Sequence, residues 1–179
     1  VSAVTEEWRA QAHPDGVLTR IGQAIMLHRA GDREEARNRL AGLWQEIGPE
    51  GDAFHRCALA HYMADTQDDP RDELAWDLRA LEAAEGSGER GGGRCAERRV
   101  TEPAEGANAE ALRAFFPSLH LNLAADYVAL DRPADARAQL LRARASADGL
   151  ADGEYRQGLR EAIDRLAVRL NGNGERPRG

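Results

Sequence analysis

Residues 122–143 read Asn122-Leu123-Ala124-Ala125-Asp126-Tyr127-Val128-Ala129-Leu130-Asp131-Arg132-Pro133-Ala134-Asp135-Ala136-Arg137-Ala138-Gln139-Leu140-Leu141-Arg142-Ala143. Small or apolar residues stand at Ala124 and Tyr127, and again at Ala136, Leu140 and Ala143. Steps of three and four put each set on one helical face, on either side of a turn near Asp131-Arg132-Pro133. The pattern recurs upstream. Ala24 and Leu27 precede Ala36 by 12 and 9 residues, as Ala124 and Tyr127 precede Ala136, and Leu40 and Leu43 complete the second face. A middle unit fits with Ala60 and Met63 ahead of Leu74, Leu78 and Leu81, if its turn is two residues longer.

Outward from these stretches the chain reads as all-helical. Val, Ile and Thr are sparse, no run alternates cleanly between turn residues, and Ala, Leu, Arg and Glu dominate. Seven helices are expected, at about Val17–Ala30, Arg33–Ile47, Asp52–Asp65, Pro70–Glu85, Ala109–Leu130 with Pro117 inside, Pro133–Ala147 and Gly153–Leu170. Ser2 to Gln11, within the N-terminal segment 1–16, offers a further short helix carrying Trp8. Asp32 with Glu35 makes a capping box, Asp69-Pro70 sets an N-cap before a first-turn proline, and Asp131 and Asp152 are similar candidate caps. Residues 86–106, with Gly91-Gly92-Gly93 at their centre, read as an irregular insertion in the 17–170 domain, and 171–179 as a disordered tail.

The unit of helix, turn and helix with small residues at the crossings resembles the tetratricopeptide repeat (TPR) family. Asn122 to Ala143 carries the best match and Ala24 to Leu43 the second, and the likeness extends from about Val17 to Leu170. The middle turn, the insertion and the absence of the family's early Trp and closing Pro in most units depart from its pattern. The resemblance implies a right-handed α-solenoid of about three stacked hairpins closed by a C-terminal capping helix. Leu159, Ile163, Leu166 and Leu170 of that last helix would face inward. It also implies a concave groove lined by the first helix of each hairpin.

Composition narrows the function. The 179 residues carry 24 Lys+Arg, all arginine, against 31 Asp+Glu, a net charge of −7. An acidic surface repels a phosphate backbone, which argues against nucleic acid as a partner. No apolar run approaches the roughly 20 residues of a membrane span, and no signal-peptide pattern opens the sequence. Two cysteines, Cys57 and Cys95, make no disulfide scaffold, and a cytoplasmic protein is expected.

In the expected register Ile21, Ile25 and His28 face the groove, with Cys57 and His61 in the second unit and Leu121, Asn122 and Ala125 in the third. Such a largely apolar groove suits a peptide or protein segment laid along it. Equally, the neighbouring helices would cover part of it. Neither a cofactor nor a metal is expected: Cys57 and His61 share one helical face, but zinc needs three or four ligands. No nucleophile elbow or paired Ser–His is present, so catalysis is not expected. The leading expectation is a non-enzymatic binding module, monomeric or homodimeric. The alternative is a small-molecule sensor or atypical enzyme whose groove site is covered by the 86–106 insertion, which converging His61, His28 and Asn122 would favour. A third is an oligomeric module using Trp8, Trp44 and Trp76 as contacts.

Overall fold

A computed structural model describes residues 14–90 and 103–174. All regular structure among them is α-helical: α1 (Pro14–Arg29), α2 (Arg33–Ile47), α3 (Ala53–Ala64), α4 (Pro70–Arg90), α5 (Pro103–Ala129), α6 (Pro133–Asp148) and α7 (Glu154–Gly174). Four of these begin on proline, whose missing N–H is unneeded in a first turn and whose φ is already helical.

The segment expected to be irregular is helical at both ends, since α4 continues to Arg90 and α5 starts at Pro103. Extending an existing helix adds one hydrogen bond per residue, which offsets the roughly 1 kcal/mol cost of a glycine such as Gly86. The first residues of the expected tail belong to α7 for the same reason. Trp8, Cys95 and the triple glycine lie outside the described residues.

The helices pack pairwise, α1 with α2, α3 with α4 and α5 with α6, while α7 lies on α6. Each pair also meets the next through α2·α3 and α4·α5. In addition α1 packs on α3, α3 on α5 and α5 on α7. Small residues permit these approaches: Ala24, Ala60 and Ala124 are fully buried, as are Ala36 and Ala136.

The first and third pairs close with the same turn. The N–H groups of Gly31 and Asp32 donate to the carbonyls of His28 and Leu27 (both 3.0 Å). Those of Asp131 and Arg132 donate to Val128 (3.2 Å) and Tyr127 (2.8 Å). This is the double hydrogen-bond pattern of a Schellman C-cap. Its left-handed residue is Gly31 in one turn (φ 94°) and Asp131 in the other (φ 54°). Asp131 is therefore not the N-cap expected of it; that position is Arg132, which makes no side-chain cap bond. Asp32 does cap α2, its carboxylate accepting from the Glu35 N–H at 3.3 Å. The middle turn, 65–69, is longer, and its Thr66 carbonyl accepts from Arg37 Nε of α2 at 2.9 Å.

One expected core residue is on the surface. Leu78 is 42% exposed, whereas Asp77 is 1% exposed. Counted from the first residue of each helix, Asp77 is the eighth of α4, matching Leu40 of α2 and Leu140 of α6. Glu73 then matches Ala36 and Ala136, and Ala80 matches Leu43 and Ala143. Aligning Leu74 and Leu78 with Ala36 and Leu40 sets α4 one residue out, a turn of about 100° that carries Leu78 to solvent.

Candidate functional site

Residues expected along the groove fall into two groups. Ile21, Cys57 and Leu121 occupy equivalent places on α1, α3 and α5, three residues before Ala24, Ala60 and Ala124. Each is turned against the next odd-numbered helix. Ile21 packs with Ala58, Leu59 and Met63 of α3, and Cys57 with Leu119 and Leu123 of α5. Leu121 packs against the cluster containing Ile163, Leu166 and Leu170 of α7. Ile21 and Cys57 are buried and offer no surface to a partner, because the close helix approach that the alanines allow covers them.

Ile25, His28, His61 and Asn122 keep partial exposure, and Ala125 is exposed. Ile25 and His28 line a cavity of about 60 Å³ between α1 and α3, with Ala24, Leu40 and Thr66 as floor and Arg29, Tyr62 and Asp65 around it. His28 Nδ1 is buried and makes no hydrogen bond.

His61 and Asn122 come together at the contact of α3 and α5, 3.4 Å between Nδ1 and the Asn122 amide nitrogen. The His61 ring also meets Phe115 edge-on, centroids 5.9 Å apart. The expected convergence includes these two residues but not His28, which belongs to the separate cavity.

Behind His61 lies a group that hydrophobic periodicity does not reveal. Asp77 Oδ1 sits 3.4 Å from His61 Nδ1. Asp77 Oδ1 and Asp126 Oδ2 are both buried without a hydrogen-bond partner. The two carboxyl groups lie near enough for each to act on the other. Burial pushes the Asp126 carboxyl up to about 8, reinforced by Asp77, Glu73 and Asp65. Burial also raises Asp77, against the opposing pull of His61, and raises Glu73. The Cys57 thiol is pushed up to about 12 by burial and by the Asp77 charge. Two neighbouring buried carboxyl groups cannot both ionise cheaply, so one keeps its proton. The signal in the sequence is the pair Asp77 and Asp126 themselves, charges standing at helical positions whose neighbours are apolar.

Among the described residues no three His, Cys, Asp or Glu side chains are placed to hold a metal ion. Ser118 and His120 make no nucleophilic pair. Ser118 Oγ donates to the Phe115 carbonyl at 2.7 Å, and buried His120 pairs with Gln139 at 2.9 Å. Trp44 and Trp76 are packed edge-on against each other at 5.3 Å, with Arg56 and Arg79 over their outer faces. They tie α2 to α4 rather than standing free as contacts for another molecule. No described helix is long and apolar enough to cross a membrane. Comparison with protein-family models, curated proteins and solved structures finds no match.

Proposed function

We propose that the chain is a TPR-like array of three helical hairpins and a closing helix, a non-enzymatic module that holds a protein segment along the face made by α1, α3 and α5. The observation that carries this reading is the succession of odd-numbered helices, each packed on the next, so that their outer surfaces run side by side. Ile25, His28 and Ala125 retain exposure there while the residues beneath them are buried. An elongated face with apolar and polar groups in alternation suits a peptide laid across several helices. The compartment this reading takes is the cytoplasm, in keeping with Cys57, whose thiol is free and buried.

The test compares wild type with Ile25→Glu and Ala125→Arg in affinity capture from source lysate. Loss of the same captured protein from both variants, with helicity and melting unchanged, supports the reading. Capture unaffected by either substitution refutes it.

A second reading, a small-molecule or atypical catalytic site, is favoured by the meeting of His61, Asn122 and Asp77. It requires a small molecule that co-purifies with wild type and is lost from His61→Ala.

A further inference from the structure

We propose that the joint between the second and third hairpins is a proton-operated latch: one proton shared by Asp77 and Asp126 holds α4 against α5, and its release to solvent loosens that joint alone. Between the first and second hairpins, Leu40 of α2 and Tyr62 of α3 lie together against one apolar cluster. Asp77 stands where Leu40 stands in its helix, and Asp126, two residues after Ala124, stands where Tyr62 stands after Ala60. The leucine–tyrosine pair at one joint, of which Leu40 is buried and Tyr62 half-buried, is thus replaced at the next by a carboxyl pair buried on both sides: Asp77 is 1% and Asp126 4% exposed.

Among the described residues, the groups that act most strongly on the pair include no arginine. From α3 the pair is faced by His61 and Cys57, from the middle turn by Asp65, and from α4 by Glu73. On α6, Gln139 is taken by His120, and Arg132, just ahead of that helix, pairs with Asp135 while stacking on Tyr127. On α7 the side chains against α5 are Ile163, Leu166 and Leu170. Once the proton leaves, two neighbouring carboxylates, reinforced by Asp65 and Glu73, face each other with almost no exposure to water. The raised Asp126 carboxyl places that change near neutral to mildly alkaline pH. The usual histidine range lies below this, at about 6.5, and that of tyrosine above, at about 10. Loosening the joint would alter how α3 and α5 lie beside one another, at the contact where His61 meets Asn122 and Phe115.

The experiment is amide hydrogen exchange on the full chain at pH 7 and pH 9, corrected for intrinsic rates. A carboxyl that titrates near 8 when closed and near 4 when open makes opening about tenfold easier over that interval. The expected result is a roughly tenfold loss of protection confined to α4 and α5, with α1 and α2 unchanged. In Asp126→Asn, which keeps the shape of the protonated form, the pH dependence disappears. Asp77→Asn is read in the same way and serves if the first variant does not fold. Equal protection at the two pH values, a loss spread evenly over every helix, or a pH dependence retained in the asparagine variants overturns the proposal.

Discussion

Asp77 occupies on α4 the place that Leu40 occupies on α2, the eighth residue of each helix, and both are 1% exposed. A carboxyl group has been set into a core position that its counterparts fill with leucine. It is accommodated by a second buried carboxyl, Asp126, and by the edge of His61.

This arrangement fixes the sign of the pH dependence of stability. The folded-state value of Asp126 lies above the unfolded one, so the folded chain binds the proton more tightly. Its contribution is fully present below the ordinary carboxylate range, at about 3.9, and is lost as pH rises to about 8. Asp126→Asn should therefore gain stability over wild type progressively through that interval, with no further gain above it. Urea denaturation at pH 5, 7 and 9 measures this, and a difference between the two proteins that does not change with pH contradicts it.

Two leucines, one on α5 and one on α4, should respond differently to truncation. Leu123 is fully buried among Cys57, Leu81 and Leu119, and Leu123→Ala should cost about 2–5 kcal/mol by leaving a cavity. Leu78→Ala, at a surface position, should stay within about 0.5 kcal/mol of wild type. Equilibrium unfolding of the two variants reads both numbers, and a cost above about 2 kcal/mol for Leu78→Ala would restore it to the core.

The two Schellman turns give a paired test of backbone strain. Gly31 and Asp131 both have positive φ, but only Asp131 carries a Cβ. Asp131→Gly should be neutral or stabilising, whereas Gly31→Val should destabilise by about 1–2 kcal/mol, the cost of a left-handed conformation with a side chain. Thermal melts of both variants decide this, and a Gly31→Val protein as stable as wild type would show that the turn has changed.

Cys57 should be inert in the folded protein. Its thiol is buried and pushed up to about 12, so almost no thiolate is present at neutral pH. Labelling by a maleimide, followed by peptide mass spectrometry, should find Cys57 unmodified until denaturant is added. Rapid native labelling at that position would mean α3 does not pack as described.

Much of the fold was legible because helix ends are chemically explicit. Asp32 with Glu35 and the prolines at 70 and 133 mark starts, and Gly31 marks a stop. The register of α4 was not legible, because a search for apolar periodicity passes over a core position held by aspartate and settles on Leu78 beside it. The same blindness hid Asp126. His61 and Asn122 were visible as candidates on their own helices. Their meeting depends on the approach of α3 to α5, a tertiary relationship that no spacing along the chain encodes. Helical phase puts Ile21 and Cys57 on the groove face but does not say which neighbouring helix covers that face.

The central claim, that a protein segment lies along the face made by α1, α3 and α5, is tested most directly by site-specific photo-crosslinking. A photoreactive amino acid is placed at Ala125 on α5 or at Leu141 on α6, both exposed in the described structure, and crosslinked products are identified by mass spectrometry. The account predicts a discrete protein adduct from position 125 and none from position 141. An adduct from position 141 with none from 125 would contradict it.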